Sequence, residues 1–233
     1  MVWPKLTVCD YREMLRKLSA AAFFVTLSCV YILRSRIAVV DQLFDSLDVT
    51  PPIEAYSLHV PFGTFVVAFA FAVLSESIKL HDKISSVLSI RAVFDVRWIL
   101  IPMALLSGST VERSRFDRIA TDRTRLMNDV FYKYASSAKQ ADIDIHLITQ
   151  ALTAWSWYWV CVESLVFLIL TAAMLWWFGD WVATALVLAV MLAVIAIMNI
   201  FRSDANKYAE AEVSVILSDE VRRKAVKSVF DAL

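Results

Sequence analysis

Glu163 is the residue of this sequence best suited to chemistry in an apolar environment. Between Val160 and Phe178 it is the only charged residue. A carboxylate within a membrane is costly unless it is paired, hydrated or protonated, and such residues often mark ion paths or proton relays. If this stretch crosses a bilayer, Glu163 therefore needs a polar partner at its own depth.

Three other polar residues are expected near that depth. Ser75 and Glu76 end the second apolar stretch of the chain, and Asn199 ends the last one. Together with Glu163 they could form an intramembrane polar cluster, either an ion path or a hydrated vestibule on the cytoplasmic side. The alternative is a packing role, in which Glu163 extends to the nearer headgroups or hydrogen-bonds to a neighbouring polar side chain.

The histidines give little support for a metal site. His81-Asp82 matches a dipeptide of metal-dependent phosphohydrolases, but no second histidine lies near it in the sequence. His59 is expected on the opposite side of the membrane, and His146 would have to converge through the fold. We therefore expect no metal ligand set.

Cysteine and glycine usage argues against other cofactor chemistry. The three cysteines are isolated from one another in the sequence. With three glycines in the whole chain, neither a dinucleotide-binding loop nor a P-loop can form. The chain is expected to hold no cofactor and to lack a catalytic centre. One enzymatic alternative stays open, an intramembrane enzyme that uses Glu163, Glu76 and His81.

A group of arginines forms a second candidate surface. Its members lie on one predicted helix: Arg113, Arg115, Arg118, Arg123 and Arg125. Guanidinium groups suit phosphate, but interleaved aspartates neutralise much of this charge. We expect a salt-bridged face that contacts a cytosolic protein or ribonucleoprotein as partner or trigger, rather than direct nucleic-acid binding.

The elements that must position these residues are apolar helices. Residues 155–201 predict a transmembrane hairpin with a turn at Gly179–Asp180, and each arm has the roughly 20 residues that a span requires. Tryptophans lie at both ends of the arms, as expected for headgroup contacts. The chain is 59% hydrophobic, with few glycines and prolines, so helices are favoured over a β-barrel.

Two further spans are predicted, at about 17–36 and 58–78, joined by an acidic loop with a short amphipathic helix. With four crossings, 21 of the 23 Lys and Arg residues fall on one side. The positive-inside rule then places both termini in the cytoplasm, and we expect a bacterial inner-membrane location. The predicted fold is an all-α polytopic membrane protein with four transmembrane helices and amphipathic cytosolic helices.

Four regions follow from this pattern: 1–78, 79–154, 155–201 and 202–233. Within the second region, Trp98–Leu106 is too short to cross a membrane and is expected to anchor at the interface; a re-entrant segment or a subdomain core are the alternatives. A capping box at Ser109–Glu112 predicts a helix over about 110–138. No breaker separates the hairpin arms from the flanking cytosolic sequence, so the arms are expected to continue as a helical stalk. The alternative is a separate helix that lies flat on the membrane.

In this order of spans and cytosolic helices the chain resembles the small multi-pass membrane effectors of bacterial phage-defence operons, including those encoded beside retrons. The resemblance covers the arrangement and carries over no functional residue. It implies an inner-membrane effector that oligomerises and permeabilises or depolarises the membrane when its cytosolic helices are triggered. The alternatives are a non-toxic scaffold that anchors a cytosolic partner, and a channel or intramembrane enzyme that uses Glu163.

Overall fold

The protein is helical throughout the part of the chain that the structure describes. A computed structural model describes residues 7–45, 62–109, 113–135 and 142–233, without the side chains of 113–115, and all regular secondary structure in these ranges is helical. The expected all-α class is confirmed. The helices are α1 (Tyr11–Arg36), α2 (Ala38–Asp45), α3 (Phe62–Ser77), α4 (Leu80–Leu88), α5 (Ile90–Phe94), α6 (Ile101–Ser107), α7 (Arg113–Thr121), α8 (Arg123–Leu126), α9 (Lys133–Ala135), α10 (Ile145–Trp177), α11 (Trp181–Ser218) and α12 (Glu220–Asp231). Two π-helical segments, Asp95–Leu100 and Met127–Tyr132, are inserted between α5 and α6 and between α8 and α9.

Three of these helices are long and apolar enough to cross a membrane, which supports a polytopic protein. They are α1, α10 and α11. The predicted second span is different, because α3 and α4 form a pair bent by 57°. The bend follows Ser77, and Lys79 has a positive φ of 50°. The pair is therefore a broken span or a re-entrant loop rather than one straight helix, and residues 58–61 lie outside the described ranges.

The hairpin has the predicted turn. Gly179 adopts a left-handed φ of +79°, which L side chains rarely adopt. Asp180 then caps α11, because its Oδ1 accepts a hydrogen bond of 3.0 Å from the backbone N–H of Ala183. Both arms continue without a break past their apolar segments, as α10 to the N-terminal side and α11 to the C-terminal side.

The chain divides into two compact units. The first, here called the span unit, contains Leu15–His81 and Tyr158–Asn199. The second, here called the amphipathic unit, contains Met1–Met14, Asp82–Trp157 and Ile200–Leu233. The predicted second and fourth regions, 79–154 and 202–233, thus contribute to one unit, although the hairpin separates them in sequence.

Small residues allow the helices of the span unit to pack closely. On α3, Thr64, Ala68 and Ala72 are buried at steps of four and form one narrow face. The hydroxyl of Ser19 on α1 donates to Glu76 of α3, and Arg34 of α1 donates to Thr64, so α1 and α3 run antiparallel. The core of this unit combines α1, α10 and α11.

Two arginines at the end of α1 are neutralised within the span unit. Arg34 contacts Asp41 at 3.0 Å and Asp45 at 3.3 Å, and this pairing holds the short helix α2 against α1. Arg36 makes two hydrogen bonds with Asp180, of 2.6 and 3.2 Å. The bidentate pair links the end of α1 to the hairpin turn.

The amphipathic unit has its own hydrophobic core, and the apolar segment 98–106 belongs to it. Ile99, Leu100, Met103 and Ala104 are at most 3% exposed and pack with residues of α8, α10, α11 and α12. The segment is therefore part of a core rather than the interfacial anchor expected from the sequence. Its length is too short for a span but sufficient for one buried helical face.

The C-terminal sequence forms two helical segments with different buried faces. Val213 and Leu217 of α11 are buried, but Val221, which continues their spacing of four, is 78% exposed. The helix breaks at Asp219, which has an extended backbone, and the new helix α12 buries Val226 and Phe230 instead. The C-terminal region is therefore not one continuous stalk, and its last helix packs into the amphipathic unit.

Asp219 is the N-cap of α12, and its replacement by Ala is expected to cost about 1 kcal/mol of unfolding free energy. Its Oδ1 accepts a hydrogen bond of 2.9 Å from the backbone N–H of Arg222. Asp231→Ala is the matched control, because an acid in the last turn opposes the helix dipole and its loss is expected to be neutral or slightly stabilising. Denaturant titration in neutral detergent measures both; equal losses in the two variants would contradict the capping role.

Candidate intramembrane acid–histidine site

Glu163 is paired with His81 inside the span unit. The imidazole Nδ1 lies 3.8 Å from the carboxylate Oε1, and the two side chains are 6% and 4% exposed. The backbone N–H of His81 also donates a hydrogen bond to the carboxylate. Glu163 thus has two polar partners, the imidazole and the backbone N–H of His81. These contacts offset part of the free-energy cost of burying the carboxyl group.

The break between α3 and α4 is what places His81 beside Glu163. After Ser77 the chain turns at Lys79, and His81 is the second residue of α4. On α10, Trp159 lies one helical turn before Glu163, and its ring meets the imidazole edge to face at a centroid distance of 6.2 Å. The indole is buried and closes one side of the pair.

The other members of the predicted polar cluster have different environments. Ser75 is buried on the small-residue face of α3, and Glu76 is exposed, accepting a hydrogen bond of 2.8 Å from the hydroxyl of Ser19. Asn199 is exposed on α11. Among the described residues, no hydrogen bond or ion pair joins any two of Glu163, Asn199, Glu76 and Ser75.

A buried imidazole next to a carboxylate is suited to proton exchange. Histidine is the side chain whose ordinary pKa lies closest to neutral pH, and a pair in an apolar setting can share or pass a proton with a small movement of either group. Within the described residues, no third His, Cys, Asp or Glu joins the pair in an arrangement that could hold a metal ion.

The amphipathic unit contains a second buried charge network, centred on Asp95. This carboxylate is 3% exposed and accepts a hydrogen bond from Arg123, and Arg91 lies 3.9 Å away. Arg91 in turn donates to the hydroxyl of Tyr132 at 3.0 Å. Burial raises the pKa of Asp95, although both arginines oppose that shift. The network therefore neutralises a carboxylate that would otherwise be strongly disfavoured in the core.

The two π-helical segments meet at this network. Asp95 is the first residue of one segment and Tyr132 is the last residue of the other. The segments contact each other. Inserted π turns are common where a helix must reorient side chains for a specific contact. Hydrophobic periodicity does not distinguish a π turn from an α-helical one, so the sequence indicates this network only through its charged residues.

One arginine of the predicted face is directed into the protein, and the other two whose side chains are described lie on the surface. Arg123 binds Asp95, Arg118 donates to the backbone carbonyl of Leu233, and Arg125 pairs with Asp122 at 2.6 Å on the surface. Arg113 and Arg115 lie on α7, but their side chains are outside the described part of the chain. Each of the three described arginines therefore has a partner within the chain, and only Arg123 is directed at a buried group.

Glu212 is a buried acid outside the polar cluster predicted from the sequence. It lies on α11 beyond the apolar segment 181–201, within the amphipathic unit, and is 5% exposed. Burial raises the pKa of its carboxyl to about 8. Among the described residues it has no hydrogen-bond or ion-pair partner. A protonated carboxyl at neutral pH is therefore the favoured state of Glu212.

Comparison with known proteins places the chain in one family. The model of the YmfE protein family matches residues 10–230. No curated protein shows significant similarity to the sequence. No solved structure does so either. Because the match extends over both compact units, the chain belongs to the YmfE protein family.

Proposed function

We propose that this protein is an effector of the bacterial inner membrane that lowers the membrane potential by letting protons cross. The observation that carries the proposal is the buried pair of His81 and Glu163 at the break of a helix pair. Acid and histidine pairs within membrane segments are typical of proton relays. Both termini would lie in the cytoplasm, where the amphipathic unit would receive the trigger.

The exposed apolar surface of the span unit is consistent with contacts to lipid and to further copies of the chain. In the most apolar part of α11 only 17% of the residues are buried, against 56% for α10. One side of α11 packs against the unit through Ala183 and Val187, and the opposite side carries large exposed hydrophobic side chains. We infer that oligomers form through this hairpin arm.

Glu163→Gln tests the proposal directly. The amide keeps the size of the side chain but cannot accept and release a proton at neutral pH, so proton passage is expected to fall at least tenfold. The measurement is the loss of membrane potential after induction of the gene in bacteria, followed with a potential-sensitive dye. Induction of the original protein is expected to depolarise the cells.

Glu76→Gln is the matched control, because Glu76 is exposed and bonded to Ser19. It is expected to depolarise the cells as the original protein does. If Glu163→Gln remains fully active at equal membrane abundance, the acid–histidine pair is not the proton path. If the original protein leaves potential and growth unchanged with and without its trigger, the effector function itself is wrong.

The amphipathic unit favours a second candidate, a scaffold that holds a cytosolic partner at the membrane. The observation that favours a scaffold is that this unit is compact and has its own core, although it is assembled from three separated parts of the chain. Its surface includes the exposed pair of Arg125 and Asp122. Purification from mild detergent distinguishes the two functions: a stoichiometric protein or ribonucleoprotein partner without any depolarisation would favour the scaffold.

A further inference from the structure

A cavity of about 330 Å³ lies between the end of α6 and the outer face of α12, within the amphipathic unit. Leu106, Ser107 and Gly108 line it on one side, and Arg223, Lys224 and Lys227 line it on the other. Its volume is at the lower end of the range for small-molecule sites. Three of its six lining residues are cationic, so it differs from the apolar surface expected beside a hydrophobic core.

The packing of α12 is what directs these cations to one place. Val226 and Phe230 bury one face of the helix, and positions 223, 224 and 227 share the next face. Two acids share that face: Asp231 at the end of the helix, and Glu220, which lies 3.9 Å from Arg223 and 3.3 Å from Lys224. Lys227 has no ion pair among the described residues. With three cations and two acids, the face carries a surplus of one positive charge.

The cations are not required to satisfy the C-terminal end of α6. Gly108 ends that helix in the left-handed conformation, with a φ of +85°. The carbonyl of Ala104 accepts hydrogen bonds from the Ser107 hydroxyl at 2.8 Å and the Ser109 backbone N–H at 3.1 Å. The carbonyl of Leu105 accepts one from the Gly108 backbone N–H at 3.1 Å. These two carbonyls are therefore satisfied within the segment itself and not by the cations of α12.

We propose that this cavity binds a phosphate-bearing ligand. A guanidinium and two ammonium groups line the cavity and can donate charge-assisted hydrogen bonds to several oxygens of one phosphate group. A carboxylate has only two oxygens and a single charge, so it would accept fewer of these hydrogen bonds. The ligand is either the headgroup of an anionic phospholipid or a free phosphate ester. This site is independent of the His81–Glu163 pair, since it lies in the other unit.

Removing two of the cations tests the site. The full-length protein in neutral detergent is titrated with ATP, and separately with dioctanoyl phosphatidylglycerol against dioctanoyl phosphatidylcholine. Lys224→Gln with Lys227→Gln is expected to weaken binding of the preferred phosphate probe at least tenfold. Arg125→Gln with Lys207→Gln removes the same charge from exposed positions outside the cavity and is expected to change binding less than twofold.

The proposal is supported if either ATP or phosphatidylglycerol binds and only the Lys224→Gln, Lys227→Gln variant loses affinity for it. Preference for phosphatidylglycerol over ATP assigns a lipid headgroup, and the reverse assigns a free phosphate ester. Absence of binding to ATP and to phosphatidylglycerol overturns the proposal, as does equal loss in both double variants. Because Lys224 and Lys227 are exposed, unchanged thermal unfolding of the cavity variant separates lost binding from lost fold.

Discussion

Replacing Asp95 with Ala is expected to lower the unfolding free energy of the amphipathic unit by about 3 kcal/mol. The carboxylate is 3% exposed and is shared by Arg123 and Arg91, whose side chains are 26% and 44% exposed. Its removal leaves two partly buried cations without their counter-charge and frees the hydrogen bond that orders Arg123. Denaturant titration of the full chain in neutral detergent, followed by tryptophan fluorescence, measures the loss.

Asp122→Ala is the control for this variant. Asp122 also pairs with an arginine, Arg125, but both side chains are exposed, so the expected loss is below about 1 kcal/mol. A similar small loss for Asp95→Ala would show that the buried network contributes little to stability. Asp95→Asn keeps the shape and one acceptor oxygen, and its expected loss lies between those of the other two variants.

Replacing Glu212 with Gln is expected to remove most of the pH dependence that this carboxyl contributes to stability. Its pKa in the folded protein is about 8, against an ordinary value of 4.5. Between these values the folded chain retains the proton and the unfolded chain has released it. The folded state therefore binds more protons, and stability falls as the pH rises through this range, by up to about 1.4 kcal/mol per pH unit. The stabilisation that Glu212 contributes to the folded state is fully present below pH 4.5 and lost above pH 8.

The neutral amide has no ionisation to suppress, so the variant is expected to match the original protein near pH 4.5 and to exceed its stability at pH 8 by on the order of 4 kcal/mol. Unfolding measured across this range gives the difference between the two proteins. Glu210→Gln, an exposed position two residues away, is expected to change stability by less than about 0.5 kcal/mol at each pH. Parallel pH profiles for the original protein and the Glu212 variant would contradict a buried, protonated carboxyl.

Much of the fold could be read from local patterns. The hairpin was predictable because long apolar runs, end tryptophans and a Gly–Asp turn are properties of short stretches of sequence. The amphipathic unit was less accessible, since it is assembled from parts that are distant in the chain. Periodicity could not detect the break at Asp219, because an extended cap changes which face is buried without changing composition.

The candidate site shows the same division. The sequence identifies Glu163 as a charge within an apolar run, and it names His81 only as part of a weak metal motif. No proline or glycine marks the bend between α3 and α4, so nothing local predicts that His81 reaches the carboxylate. Depth alone groups Glu76 and Asn199 with Glu163, and depth does not determine the direction in which a side chain points.

By itself the sequence determined the helical class, the apolar segments, the hairpin turn and the need of Glu163 for a polar partner. These follow from hydrophobicity and spacing along the chain, which act over a few helical turns. Only the tertiary structure decided which partner that is, which acids are buried and where the cations of α12 converge. Those outcomes depend on helix breaks and on contacts between distant segments, because burial is a property of the whole packed unit.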